Sequence, residues 1–188
     1  MRKTKILLAA AILTFGLFIG NNAKAQSVAD GKFRFGIGVD GLLPIGNLSQ
    51  TENFGLGITP RLQYGIGNNT ALTFTSGFYH FFPKSVFIPD NGYVVNGVPV
   101  QGTYKYKLDI IPVKVGIKQF ISKDFYFGAE AGAGFEVEDG GGPVKLILSP
   151  AFGYASKHWD VAARYEGFFG QNSNYGTVGL RIAYGFGL

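Results

Sequence analysis

Cysteine is absent from the 188 residues. Disulfide staples, thiolate metal centres and thiol nucleophiles are excluded with it, so the fold must be held by packing, hydrogen bonds and charge. Histidine is nearly absent too: His80 and His158 are the 2 imidazoles available for acid–base or metal chemistry. Charged residues are scarce, at 15% against 46% hydrophobic. Beyond residue 25 no apolar run approaches the roughly 20 residues of a spanning helix. The formal charge of +5 is also misleading, because Arg2, Lys3, Lys5 and Lys24 belong to the first 25 residues. Seventeen Lys and Arg less those 4 leave 13 against 12 acids, or +1. An electrostatic footprint for nucleic acid is therefore missing.

Residues 1–25 read as a cleaved signal peptide. Arg2, Lys3 and Lys5 form a positive start, residues 6–20 an apolar stretch, and Ala23-Lys24-Ala25 a small-x-small cleavage site. The alternative, an uncleaved anchor, is disfavoured by the shortness of the stretch, and with no Cys after the site a lipoprotein is excluded. Residues 26–188 remain as one domain.

What that domain has in abundance is alternation. The organising stretch is 104–138, two long strands joined by a turn at 121–124. In its second arm Phe125, Phe127, Ala129, Ala131, Ala133, Phe135 and Val137 alternate with Tyr126, Gly128, Glu130, Gly132, Gly134 and Glu136, a period of two. In the first arm Lys114 and Lys118 alternate with Val113, Val115 and Ile117. Nearer its start Lys105, Lys107 and Asp109 share a face only if the parity slips once near Ile110 to Pro112, so a β-bulge is expected there. Similar patterns predict strands over 33–40, 54–64, 71–82, 144–154, 159–169 and 175–188. That makes eight strands of membrane-crossing length. The connections 41–53, 84–103, 138–143 and 170–174 are longer or more irregular than 65–70, 121–124 and 155–158. The expected fold is all-β, an eight-stranded antiparallel up-and-down transmembrane β-barrel.

The sign of the alternation decides which face is inside. One face of each strand is aliphatic and aromatic, and the other carries Arg34, Asp40, Arg61 and most remaining charges. A soluble barrel would turn the apolar face inward. Aromatic residues near the strand ends favour lipid outside, with Tyr64, Phe120, Trp159 and Tyr184 at one rim and Phe54, Phe78, Tyr104, Phe135 and Phe169 at the other.

Leu42-Leu43-Pro44-Ile45-Gly46-Asn47, the Leu108-Asp109-Ile110-Ile111-Pro112 approach to Lys114, and Phe125-Tyr126-Phe127-Gly128 resemble the PorT-like outer-membrane β-barrel family across residues 26–188. Two features depart from it: the acid lies three residues before the proline rather than two, and the chain ends in Leu188 with Phe186 two before it. The resemblance implies a bacterial outer-membrane location and insertion by the outer-membrane assembly machinery. It does not imply a role in secretion.

Several motifs reduce to structure. Gly36-Ile37-Gly38-Val39-Asp40-Gly41 matches a dinucleotide fingerprint, but Leu42-Leu43-Pro44 forbids the helix that must follow, and glycines opposite bulky neighbours in a narrow lumen explain it. Glu138-Asp139 is a solvated turn rather than a cation site. Ser76 and His80 lie four apart on one face, about 13 Å along a strand, beyond reach for a nucleophile and its base. His80 is read as an interfacial side chain and His158 as an exposed one. No cofactor, metal or catalytic residue is expected.

Two sites remain. Eight strands leave an interior just wide enough for side chains, so Lys107, Asp109, Lys114, Lys118, Glu130, Glu136, Asp160, Arg164, Glu166 and Arg181 are expected to pair in the lumen, with Lys114 opposite or diagonal to Glu130. The longest connection, 84–103, is unusually apolar at Phe87, Ile88, Tyr93, Val94 and Val95. It is either a hairpin covering its own apolar face, with a type I′ turn at Asn96-Gly97, or a tip that meets a protein, a glycan or lipopolysaccharide. A monomeric, non-enzymatic barrel with a structural or interaction role is the leading reading. A narrow pore for small solutes and a lipid-modifying enzyme are the alternatives.

Overall fold

The computed structural model describes residues 28, 30–88, 94–95, 98–99, 102–105, 107–137, 142–170 and 173–187. The expected signal peptide lies outside these, as do Tyr93, the turn at Asn96-Gly97, and Glu138-Asp139. Eight antiparallel strands form the wall: β1 (Phe33–Ile45), β2 (Glu52–Gly67), β3 (Thr70–Ser76 and Phe78–Pro83), β4 (Leu108–Phe120), β5 (Phe125–Glu136), β6 (Val144–Ala155), β7 (Trp159–Phe169) and β8 (Tyr175–Gly187). Each pairs with its sequence neighbours, and β1 also pairs with β8, so the sheet closes and leaves no edge. No helix among the described residues is long and apolar enough to cross a membrane.

The tight turns fall at one end, here the turn end: Asn68-Asn69, 121–124 and 156–158. Asn68 and Asn69 both have positive φ, 49° and 58°, the backbone a two-residue hairpin turn requires and one that Asn tolerates. The opposite, loop end carries the connections 46–51, 84–107, 137–143 and 170–174.

Prolines mark the places where ladders are interrupted. β3 breaks at Gly77, between Pro60 on β2 and Pro112 on β4: the β2 ladder skips from Arg61↔Thr75 to Ile58↔Phe78, and the β4 ladder from Ser76↔Val113 to Tyr79↔Ile110. Neither proline has an N–H to give. A side chain at Gly77 would also meet the carbonyl of Ile58 at 2.2 Å. The β6–β7 ladder likewise jumps from Leu148↔Gly167 to Ala151↔Arg164, past Pro150.

Three expectations are corrected. The first strand does not stop at Asp40 but runs through Pro44 to Ile45. Its ladder with β2 ends at Leu42↔Gly55 while that with β8 continues to Ile45↔Gly176, so Pro44 sits where only one side is paired and its missing donor is tolerated. The bulge near Pro112 does not form: β4 and β5 pair in one register from Tyr126↔Phe120 to Glu136↔Ile110. With parity unbroken, Ile110, Pro112, Lys114, Lys118 and Phe120 are buried on the lumen side. Phe120 therefore leaves the expected aromatic girdle and packs on Tyr126 inside.

Burial is inverted relative to a water-soluble protein. Val39, Leu43, Ile58 and Val115 are 56%, 62%, 61% and 60% exposed, while Asp40, Lys114, Glu166 and Arg181 are at most 1% exposed. An outer wall of this composition faces hydrocarbon, where every backbone group must be satisfied within the sheet and a closed barrel meets that condition. The chain is a transmembrane β-barrel.

Candidate functional site

The lumen is filled in three layers. At the loop end Leu42, Leu48, Tyr79, Phe81, Ile110, Ile147 and Phe168 form one apolar cluster. At the turn end Phe120, Tyr126, Ala155 and Ala162 form another. Between them lies a charged layer.

Glycine makes room for this filling. A Cβ at Gly38 would lie 2.6 Å from the Arg181 guanidinium carbon, and one at Gly153 would lie 2.5 Å from the Tyr126 ring. Of the three glycines in the fingerprint-like 36–41 stretch, Gly38 is thus the one that leaves space for an arginine.

Glu130 is the first centre of the charged layer. Its carboxylate accepts from Thr75 at 2.7 Å, Thr73 at 3.1 Å and Arg61 at 3.1 Å, and Lys114 Nζ lies 3.6 Å away. The register sets Lys114 against Gly132 and Glu130 against Gly116, so the Lys114–Glu130 approach is diagonal. Lys114 reaches mainly across the barrel, donating to Glu166 of β7.

Tyr79 is the second centre. Its hydroxyl accepts from Arg164 at 2.7 Å and Lys114 at 3.2 Å and donates to Glu166 at 3.3 Å. Arg164 also lies 2.9 Å from Asp40, whose other oxygen accepts from Thr59 at 2.6 Å. Arg181 donates to the hydroxyl and carbonyl of Thr59, both at 3.0 Å, and is 4.0 Å from Asp40. Toward the turn end Asp160 accepts from Lys118 and Tyr126, each at 2.5 Å, with the ammonium 3.8 Å from the Tyr126 ring centre. Charges so deeply buried are stable only with such dense hydrogen bonding.

Of the residues expected to share the lumen, Lys114, Lys118, Glu130, Asp160, Arg164, Glu166 and Arg181 are in this layer. Glu136 is inward at the loop end, where it accepts from Tyr175 at 2.5 Å. Lys107 and Asp109 are not in the lumen. With no bulge, Asp109 stays on the outward face of β4, register partner of His80, whose Nδ1 is 2.5 Å from its carboxylate. Exposed Lys107 lies 3.2 Å away on the other oxygen. The charge is tolerated there because it sits at the loop-end rim with two partners. His80 is thereby held by a carboxylate rather than by Ser76. His158 is exposed and stacks on Tyr184.

Reading the faces did not single out Asp40, Arg61, Tyr79 or Tyr126 as members of the network. Asp40 and Arg61 were visible as inward charges. Tyr79 was hidden because Phe78 to Phe82 is aromatic on both faces.

In the connection between β3 and β4, Val86–Ile88 pairs with Gly102–Tyr104, and Val94–Val95 with Val98–Pro99. Phe87, Ile88, Val94 and Val95 thus lie in short antiparallel ribbons.

No protein-family model matches the sequence, and no curated protein does. Among solved structures, the chain is similar to Ail, the attachment invasion locus protein of Yersinia pestis, at 15% identity. The match covers 84% of this chain and 99% of that one, with a TM-score of 0.56. The backbone structure of Ail in a phospholipid bilayer nanodisc gives 13% identity, 84% and 100% coverage and a TM-score of 0.55. A further crystal structure, of Ail with the heparin analogue sucrose octasulfate, gives 15% identity, 84% and 99% coverage and a TM-score of 0.52. The likeness is one of fold: a small eight-stranded antiparallel barrel that crosses a membrane.

Proposed function

We propose that residues 26–188, after removal of a signal peptide spanning 1–25, form a monomeric, non-enzymatic bacterial outer-membrane barrel. Its closed lumen serves as a rigid scaffold for loops that meet lipopolysaccharide, a protein or a glycan. Membership of the PorT-like family is part of this reading and rests on the residue resemblances at 42–47, 108–112 and 125–128. Insertion by the outer-membrane assembly machinery follows from the same reading. The observation that supports the scaffold role is the filling of the interior, where a charged layer is packed between two apolar clusters. We expect wild-type protein in planar bilayers to show no steady ion conductance, and a reproducible open level would return the pore reading.

The loop between β3 and β4 is the proposed contact. Replacing 86–101 with a short Gly-Ser turn leaves the lipid-facing ladders untouched, so the variant should still insert and keep heat-modifiable gel mobility. Cross-linked partners captured by the wild type in whole cells should disappear. An unchanged partner set would remove the binding role from this loop.

A further inference from the structure

The charged layer does not balance. Among the described residues its cations are Arg61, Lys114, Lys118, Arg164 and Arg181, and they meet only Asp40, Glu130, Asp160 and Glu166. Arg34 and Lys145 lie at the two ends, on carbonyls of Ser156 and Lys157 and of Ser173. Tyr79 and Tyr126 act as hydroxyl donors to carboxylates, so neither supplies a negative charge. One positive charge in this buried layer is therefore without a carboxylate of its own, and an uncompensated buried charge is costly.

The same layer contains a cavity of about 20 Å³ whose lining includes Arg61, Lys118, Arg164, Arg181 and one carboxylate, Glu130. Four of the five cations thus border one small space. Arg164 is 4% exposed, and its Nε and Nη1 are buried with no hydrogen-bond partner. We propose that this cavity binds one small monovalent anion, a halide such as chloride, which neutralises the layer and takes up the unpaired arginine donors. Size sets the chemical class: the space suits about one water-sized sphere, too little for the four oxygens of phosphate or sulfate. The site is independent of the loops and of any partner, so its test and the loop deletion can fail separately.

Wild-type barrel refolded in detergent should be unfolded in bromide and in gluconate at equal ionic strength, and crystals grown in bromide should be examined by anomalous scattering. A single bromine peak is expected between Arg61, Arg164 and Arg181. Stability should rise with bromide in a saturable way, reaching about 100-fold in the folded-to-unfolded ratio at a hundred times the dissociation constant. Arg181→Gln should lose that dependence, and if it fails to fold the wild-type series and the diffraction still decide. A non-saturating rise that persists in Arg181→Gln is a general salt effect and counts against the site. Equal midpoints in the two salts, or a cavity holding only water in bromide, would overturn it and leave a neutral lysine as the way the excess charge is removed.

Discussion

Glu130→Ala is expected to cost the barrel about 3–5 kcal/mol of unfolding free energy, the range for breaking a buried ion pair by deleting one partner. The carboxylate is the shared acceptor for Arg61, Thr73 and Thr75 and lies within 4 Å of Lys114. Its loss leaves Arg61 and Lys114 underpaired in the buried interior. Glu130→Gln keeps the shape and one acceptor, and should fall between the wild type and the alanine variant. Lys123→Ala, on an exposed residue in the turn between β4 and β5, should change stability by no more than about 0.5 kcal/mol. Urea unfolding in lipid or detergent, followed by tryptophan fluorescence from Trp159, measures all three. A Glu130→Ala cost indistinguishable from that of Lys123→Ala would mean that the lumen is wet and its pairs screened.

The second large effect lies on the other face. Leu180 is 50% exposed, about midway along β8, and has Gly41 and Ala163 as its register partners on the two neighbouring strands. In a bilayer that position is near the midplane, where a Lys on the lipid face costs about 2–4 kcal/mol. Leu180→Lys should therefore unfold at lower urea in liposomes. Phe186→Lys, near the turn end of the same strand and of the same parity, should cost no more than about 1 kcal/mol, because its ammonium reaches the interface. Equal costs at the two depths would remove the bilayer as the solvent of this face.

The period-two pattern made most of this architecture legible. A strand has only two faces, so reading the charges of β2, β5, β7 and β8 was enough to say which residues enter the lumen. The paucity of charge on the other face was enough to say what surrounds the barrel. Position along a strand was less legible, because prolines are read as breaks until their neighbours are known. Pro44 ended β1 too early in the sequence reading, since nothing in one strand reveals that its partner on one side has already stopped. The bulge near Pro112 is expected because it puts Lys105, Lys107 and Asp109 on the face of Lys114, whereas the interrupted ladder belongs to the neighbouring strand at Gly77. That expectation takes every charge on β4 to need the lumen, and Asp109 does not. His80, twenty-nine residues away, is the partner that makes the outward position tolerable. Cross-barrel pairs such as Lys114 with Glu166 and Lys118 with Asp160 were not legible at all, because they depend on the stagger of the closed sheet.

The absence of cysteine makes the most direct measurement a clean one. Single-cysteine variants at positions 177, 178, 180, 182 and 183 of β8 can be spin-labelled in liposomes and tested for collision with oxygen, which partitions into lipid, and with a water-soluble nickel reagent. Labels at Val178, Leu180 and Ile182, whose side chains are exposed, should collide freely with oxygen and hardly with nickel, while those at the buried Thr177 and Ala183 should be shielded from both. A period-two signal of the opposite phase, or nickel access at Thr177 and Ala183 equal to that of a loop residue, would contradict a barrel with lipid outside and a filled lumen.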